Sequence, residues 1–135
     1  MPIFATQAWL DESASLLNND PEYAEGAKDY EGDYLYIVEA DELQPTPIYY
    51  YVDLYHGKCR KATIVNNPTE VKAEFEMSAP YSIWKKILQG ELDGNKALMT
   101  RKLKIKGNMT KLMKSTKPAT AYFKALTPLK TDFDK

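Results

Sequence analysis

The period of apolar and polar positions changes several times along the chain. Residues 4–19 carry apolar side chains three and four apart, which predicts an amphipathic helix. Asp20 and Pro21 then predict the start of a second helix, because Asp is a favourable N-cap and Pro fits the first helical turn. We expect this helix to end at Gly32 and Asp33.

Three segments in the middle of the chain have the patterns of strands. Residues 34–40 are rich in β-branched and aromatic side chains, and residues 48–66 predict a hairpin that turns near His56. Residues 71–77 alternate apolar and charged positions, so Phe75 and Met77 are expected to face the core. On the first strand of the hairpin, one face is predicted to carry Ile48, Tyr50, Val52 and Leu54.

The period returns to that of helices after Pro80. A helix is predicted up to Gly90, with an apolar stripe of Tyr81, Trp84, Ile87 and Leu88. A short helix ending near Met99, a strand at 102–106 and a turn at Gly107-Asn108 follow, and Asn108 is expected to cap the next helix. Met109, Leu112 and Met113 mark the apolar stripe of that helix, and Pro118 predicts one more. The segregation of strands and helices predicts an α+β fold, with a largely antiparallel sheet covered by helices.

Composition and the cysteine count restrict the class of protein. A chain of 135 residues, 44% of them hydrophobic, predicts a single domain over residues 1–135 with a real core. The first residues lack the basic start of a signal peptide, and no apolar run reaches the roughly 20 residues that span a bilayer. The one cysteine, Cys59, excludes an internal disulfide, so we expect a cytoplasmic location.

The net charge of -1 conceals an uneven distribution of charged residues. Residues 1–80 hold 15 acidic and 5 basic residues, whereas residues 81–135 hold 4 acidic and 13 basic residues. Two interpretations remain open: the basic half attracts an anionic partner such as a membrane, or the two halves complement each other within one globule.

The sequence offers little chemistry for catalysis. His56 is expected to be an exposed turn residue, and Cys59 has basic neighbours but no base placed beside it by the sequence, which favours an inert thiol. The motifs of common hydrolases, metal sites and nucleotide sites do not occur. We therefore predict no enzymatic activity, no metal and no cofactor.

The alternating lysines of residues 101–106 have two interpretations. They are suited to contact phosphates, and they also protect an exposed sheet edge against aggregation. Single-stranded nucleic acid would require stacking aromatic residues among the lysines, and Tyr122 and Phe123 are the only candidates nearby. We expect no nucleic-acid partner.

The stretch LQGELDGNKALMTRKLKIKGNMTKLMK, residues 88–114, resembles the signature region of the sterol carrier protein type-two (SCP-2) sterol-transfer family. The likeness is strongest over residues 70–115 and extends over 31–135. Arg101 stands where a Gly is common, and residues 118–135 depart from the family's usual C-terminal helix. The positions that match the pattern are Gly90, Asp93, Ala97, Leu103, Ile105, Gly107, Asn108 and Met109.

The resemblance implies a mixed five-stranded sheet covered by helices on one face, with an apolar tunnel between them. Such proteins bind fatty acids, acyl-CoA, sterols or other lipids without transforming them. The methionine-rich helix would then form the roof of the tunnel, whereas periodicity alone also permits it to be packed core. The implied ligand-binding residues are Phe75, Met77, Trp84, Ile87, Leu88, Leu98, Met99, Leu103, Ile105, Met109, Leu112 and Met113.

A small lipid-binding protein is thus the predicted function, with transfer of the lipid left open. The alternative is an accessory domain that presents a lipid-like precursor to biosynthetic enzymes. A transient contact with an anionic membrane is compatible with both, and the oligomeric state is not readable from the sequence.

Overall fold

The computed structural model describes residues 3–92, 94–114, 121–122, 124–125 and 131–133, without the side chains of residues 94, 95, 109 and 112. Ten helices and strands have defined ends within these residues. In chain order they are α1 (Gln7–Asn18), α2 (Pro21–Gly26), β1 (Glu31–Glu39), β2 (Ile48–Tyr55), β3 (Lys58–Val65), β4 (Phe75–Pro80), α3 (Tyr81–Leu88), α4 (Gly94–Met99), β5 (Lys104–Lys106) and α5 (Met109–Lys114). This order confirms the predicted succession of helices and strands up to α5.

The five strands form a mixed sheet in the order β3-β2-β1-β4-β5. The strands β1 and β4 are parallel, and the other described neighbours are antiparallel. The sheet is therefore largely antiparallel, as predicted. Strand β1 lies at its centre, so the side chains of β1 have neighbours on both sides.

One face of the sheet is covered by helices. On β2, Tyr50, Val52 and Leu54 are each less than 5% exposed, whereas Tyr55 on the other face is 40% exposed. Helix α1 is held on this face by Gln7, whose Nε2 donates to the carbonyl of Ala62 at 2.9 Å. The predicted division of the hairpin into two faces is confirmed.

Two predicted N-caps determine where helices begin. The Oδ1 atom of Asp20 accepts hydrogen bonds from the backbone N–H groups of Glu22 and Tyr23, at 2.8 and 3.2 Å. The Oδ1 atom of Asn108 accepts one from Lys111 N at 3.1 Å. Each carboxylate or amide oxygen satisfies donors that the helix itself leaves unpaired.

Several predicted boundaries are wrong, and pairing with neighbouring strands explains two of them. Helix α2 ends at Gly26 rather than near residue 32, because β1 already pairs with β2 from Glu31 onward. Strand β4 covers 75–80 rather than 71–77, because its pairing with the central strand β1 continues to Pro80. Helix α1 covers 7–18 rather than 4–19, with Thr6 as its N-cap.

Strand β5 is shorter than the predicted 102–106. The backbone N–H groups of Lys102 and Leu103 both donate to the carbonyl of Ala97, at 2.9 and 3.0 Å, and so close the end of α4. They are not available for pairing in the sheet, and β5 begins at Lys104.

Gly107 joins β5 to α5 in a conformation that a side chain would disturb. Its φ of +142° lies in the left-handed half of conformational space. A Cβ atom there would lie 2.5 Å from Cδ1 of Phe75 and 2.7 Å from the carbonyl oxygen of Glu74. The predicted sharp turn is confirmed, and it is also a close approach of the backbone to β4.

Residues 131–133 lie against the beginning of the chain. Phe4 N donates to the carbonyl of Asp132 at 2.9 Å, and the Nε1 atom of Trp9 donates to Oγ1 of Thr131 at 2.9 Å. The ring of Phe133 lies 5.9 Å from that of Phe4. This part of the C-terminal segment therefore contributes to the core, a role that the sequence did not specify.

The predicted last helix is described at four positions, 121–122 and 124–125, all of which are helical. Ala125 is 3% exposed. In the described part of the chain, no helix is both long and apolar enough to cross a bilayer. The single domain over residues 1–135 stays a prediction.

Candidate functional site

An aromatic layer of five side chains covers the centre of the helix-facing side of the sheet. The ring centroids of Phe75 and Tyr34 are 5.1 Å apart, those of Tyr34 and Tyr36 are 5.8 Å apart, and those of Tyr36 and Tyr50 are 4.8 Å apart. These three pairs are stacked. Trp9 of α1 meets Tyr50 edge-on at 5.8 Å. The register explains the stack, because Tyr34 is the direct partner of Phe75 on β4, Tyr36 is that of Tyr50 on β2, and the two β1 residues are two positions apart on one face.

Trp84 of α3 closes one side of this layer. Its ring meets that of Tyr36 edge-on at 5.9 Å, and its Nε1 atom donates to the carbonyl of Ile37 at 3.2 Å. The residue is 7% exposed. Trp84 therefore contacts the aromatic layer through its ring, and its one polar atom is satisfied by a strand.

The hydroxyl groups of the tyrosines form a second feature of this interior. Tyr30 and Tyr34 are joined through their hydroxyls, and so are Tyr36 and Tyr122. Burial raises the pKa of Tyr36 well above the ordinary phenol range, so the group remains neutral. Burial also raises the phenol pKa of the other members. We call this group the hydroxyl cluster; its members are Tyr23, Tyr30, Tyr34, Tyr36, Tyr50 and Tyr122.

Tyr23 is the exceptional member of the hydroxyl cluster. It is 1% exposed, and its Oη atom has no hydrogen-bond partner among the described residues. Desolvation, followed by the proximity of the Cys59 thiol and of Tyr30, raises the pKa of its phenol. Its ring packs edge-on against Tyr122 at 6.3 Å. A buried hydroxyl without a partner is unusual, since most buried polar groups are hydrogen-bonded.

Two open depressions lie among the described residues, and Tyr30 of the hydroxyl cluster lines the first of them. The first, of about 490 Å³, lies between the start of β1 and α5 and is lined by Tyr30, Lys111 and Lys114 among others. The second, of about 530 Å³, is lined by residues of α1 and α2, Pro21 among them, and by residues 124–125. Neither is an enclosed tunnel, and the predicted apolar tunnel stays a prediction.

The surface formed by residues 94–114, here called the cationic corner, has a different chemistry. It carries seven basic and no acidic residues, and six of the seven bases are exposed. The seventh, Lys111, is half-buried and forms an ion pair with Glu74 at 2.8 Å. Two methionines of the corner are also exposed, Met99 at 84% and Met113 at 77%. Apolar side chains among cations distinguish this surface from an ordinary solvated face.

The predicted ligand-binding residues fall into three groups. Phe75, Trp84 and Leu103 are buried, and Phe75 belongs to the aromatic layer. The half-buried ones are Met77, Ile87, Leu98 and Ile105. The exposed ones are Leu88, Met99 and Met113. The side chains of Met109 and Leu112 lie outside the described residues, so whether they form roof or core stays open.

The register brings two of the half-buried residues together. Met77 is the direct partner of Ile105 across β4 and β5, and on its other side it is the partner of Tyr36 on β1. Leu88, by contrast, is 40% exposed at the last position of α3, although the predicted stripe placed it with Tyr81 and Trp84.

The two side chains considered for catalysis, His56 and Cys59, lie in different surroundings. His56 is exposed in the hairpin turn, as predicted, with its Nε2 atom 2.7 Å from Oε1 of Glu31. Cys59 is buried, and burial raises the pKa of its thiol to about 11. Its neighbour Arg60 forms an ion pair with Asp53 at 3.0 Å. No group of three or more potential ligand side chains within the described ranges is placed to hold a metal ion.

The sequence interpretation missed most of the aromatic layer. It placed Tyr50 on the same face of the hairpin as Val52 and Leu54 but did not treat Tyr34, Tyr36 or Tyr50 as part of a site. A signal was present, since 10 of the 135 residues are tyrosine and several alternate along β1 and β2. Their meeting across strands depends on register, which single-strand patterns do not specify.

Comparison with known proteins supplies a family. The model of the SCP-2 sterol transfer family matches residues 13–119. No curated protein sequence gives a match to this chain.

Solved structures share the fold over most of the chain. A crystal structure of sterol carrier protein 2 is 30% identical, with a TM-score of 0.80, and the match covers 90% of this chain and 95% of that one. A conserved hypothetical protein from Thermus thermophilus is 28% identical, with a TM-score of 0.83 and coverage of 96% and 91%. A sec-alkylsulfatase from Pseudomonas sp. shares the fold alone, at 18% identity and a TM-score of 0.53, with coverage of 79% of this chain and 15% of the sulfatase.

Proposed function

This chain belongs to the SCP-2 sterol transfer family, and we propose that it binds a long-chain lipid between its sheet and helices without transforming it. The aromatic layer is the observation that carries the proposal. It forms a broad apolar surface under helices α1 and α3, where a ligand chain would leave water.

The energetics of such a site favour binding with little discrimination between lipids. Each buried methylene contributes about 0.8 kcal/mol, so a palmitoyl-length chain gains on the order of 10 kcal/mol before the costs of ordering and association. A difference of one methylene changes this sum little. We therefore propose a protein that takes up a range of long-chain lipids.

The wall of the proposed tunnel combines buried and half-buried residues. Phe75 belongs to the aromatic layer and Trp84 adjoins it, and Met77 and Ile105 continue the same surface toward β5. Methionine adapts its shape to irregular ligands, which suits a promiscuous site. Met109 and Leu112 complete the proposal on sequence grounds.

Titration with a fluorescent fatty acid tests the proposal. We expect saturation near one ligand per chain, and native mass spectrometry of protein purified without detergent should show a bound lipid. The Trp9→Phe variant leaves Trp84 as the one tryptophan, and lipid should shift its emission. The matched Trp84→Phe variant reports on Trp9 in the same way.

The two measurements test the position of Trp84 and the binding of lipid separately. An unchanged spectrum of Trp84 at saturating lipid would place this residue outside the wall. If fatty acid, acyl-CoA, sterol and phospholipid all fail to give saturable binding, the proposed function is wrong.

We further propose that the cationic corner contacts anionic membranes during loading or release of the lipid. The support is the combination of seven bases, no acids and two exposed methionines within residues 94–114. Each basic residue near an anionic bilayer contributes about 1 kcal/mol, and inserted apolar side chains add to this. The alternative interpretation, in which the basic half of the chain complements the acidic half within one globule, predicts no such contact.

Charge reversal at two pairs of lysines tests the membrane contact. We expect Lys102→Glu with Lys104→Glu to weaken binding to phosphatidylserine-containing vesicles about 30-fold or more. The matched control, Lys61→Glu with Lys72→Glu, changes the net charge equally but lies outside the corner, and Lys61 is on the opposite edge strand β3. Equal losses in the two double variants, or binding that is insensitive to salt, would contradict the proposal.

A further inference from the structure

The hydroxyl of Tyr23 points to the chemical class of the ligand. We propose that Tyr23 lies at the polar end of the lipid site, where an uncharged oxygen of the ligand, such as the hydroxyl of a long-chain alcohol, completes the hydroxyl cluster. The inference rests on the proposed lipid binding and specifies the group that the lipid carries.

The first argument concerns the missing partner. Tyr23 is 1% exposed and its Oη atom has no hydrogen-bond partner within the described part of the chain. A buried hydroxyl in this state loses the hydrogen bonds that it made to water. A ligand oxygen in the interior would restore one of them.

The second argument concerns the neighbours. Tyr30 is bonded to Tyr34, and Tyr36 is bonded to Tyr122, so these hydroxyls already have partners. Tyr23 is in ring contact with Tyr122 and close enough to Tyr30 for electrostatic coupling. The unsatisfied hydroxyl of Tyr23 therefore lies beside tyrosines whose own hydroxyls are already paired.

The third argument favours an uncharged ligand group over a carboxylate. The phenols and the thiol of Cys59 around Tyr23 are neutral, because burial raises the pKa of each. Lys111 lies over the ring of Tyr30 and is already paired with Glu74, and Lys124 is paired with the exposed Glu22. A carboxylate at Tyr23 would be buried away from a compensating charge, which is costly.

The fourth argument concerns access. Pro21 and Glu22, which precede Tyr23 on α2, line the second depression. Residues of α1 and residues 124–125 complete its lining, and Glu22 forms an exposed ion pair with Lys124 at 3.0 Å. Exposed pairs of this kind contribute little to stability, so this boundary is weakly held.

A pair of ligands of equal length tests the inference. Hexadecanol and heptadecane have the same number of heavy atoms, and they differ in one terminal hydroxyl. For Tyr23→Phe we expect hexadecanol affinity to fall roughly 5-fold, which is the effect of one neutral hydrogen bond, and heptadecane affinity to stay unchanged. The Tyr49→Phe variant, on the opposite face of the sheet, should change neither affinity.

Stability provides an independent readout. Because Tyr23→Phe keeps the ring and removes an unsatisfied hydroxyl, the ligand-free variant should unfold at the same or a higher urea concentration than the wild type. A clearly lower midpoint would show that the hydroxyl has a partner in the free protein, which overturns the premise.

The remaining outcomes distinguish the two proposals. If the wild type binds neither ligand, the proposed lipid binding fails. If it binds both and Tyr23→Phe leaves hexadecanol affinity intact, lipid binding stands and the role of Tyr23 is overturned. A loss of palmitate affinity as large as that of hexadecanol would overturn the assignment to an uncharged group.

Discussion

The interior around the aromatic layer and the cationic corner use the same types of apolar residue in opposite ways. Met77 on β4 is half-buried between Tyr36 and Ile105, whereas Met99 at the end of α4 is 84% exposed. The interior concentrates neutral hydroxyls, and the corner concentrates positive charge. The contrast shows that the place of a residue relative to the sheet, rather than its hydrophobicity, decides whether it stabilises the fold or remains available for a partner.

Alkaline pH should affect the interior most strongly. Burial raises the pKa of Tyr23, Tyr36 and Tyr50 above the ordinary value of about 10, so these phenols ionise in the unfolded chain before they ionise in the folded protein. The free energy of unfolding then falls by about 1.4 kcal/mol per pH unit for each group, or about 4 kcal/mol together. Two pH units suffice to exhaust the stability of many domains, which is about 5–15 kcal/mol.

The loss should begin with Cys59. Its thiol pKa is raised from 9.0 to about 11, so its contribution is complete below pH 9 and is lost as the pH rises to about 11. Circular dichroism and tyrosinate absorbance, followed from pH 8 to 12, measure both steps. In the Tyr50→Phe variant the slope above pH 10 should decrease by about 1.4 kcal/mol per unit. Stability that is independent of pH in this range would show that the phenols are in contact with water.

The second largest effect on stability should come from Gly107, where the cationic corner approaches β4. We expect Gly107→Ala to lower the free energy of unfolding by about 2–4 kcal/mol, because the new Cβ meets Phe75 and the backbone of Glu74 in addition to straining a positive φ. Gly90→Ala is the matched control, since its φ is +79° and an added Cβ meets no atom within 4 Å.

The control should cost about 1 kcal/mol. Urea midpoints of the two variants give the comparison. If both variants lose the same stability, the close approach of Gly107 to β4 has no energetic weight and the corner is held by other contacts.

The smallest effect should belong to the exposed methionine of the corner. We expect Met99→Ser to leave stability within about 0.5 kcal/mol of the wild type, because the side chain is already in water. Its affinity for anionic vesicles should nevertheless fall about 5-fold, since partial insertion of a methionine is worth about 1 kcal/mol. Leu43→Ser, at another exposed apolar position, should change neither quantity. Equal vesicle affinity for Met99→Ser and the wild type would remove methionine from the proposed contact.

Local rules made the helix starts and the turns predictable. Asp20 and Asn108 are N-caps because short polar side chains reach the first free N–H groups, and this depends on neighbours in sequence alone. The sharp turn at Gly107 follows from the freedom of glycine at positive φ. Strand ends were less predictable, because pairing with β1 extends β4 to Pro80.

The sequence by itself determined the order of elements, the two faces of the hairpin and, through residues 88–114, the family. These depend on periodicity, capping and a contiguous motif. The tertiary structure alone decided that tyrosines from β1, β2 and α2 meet in one interior, and that Tyr23 lacks a partner among the residues described there. It also decided that Met99 and Met113 remain exposed. The physical reason is that strand register and the docking of helices bring together residues far apart in sequence, and local patterns do not contain those distances.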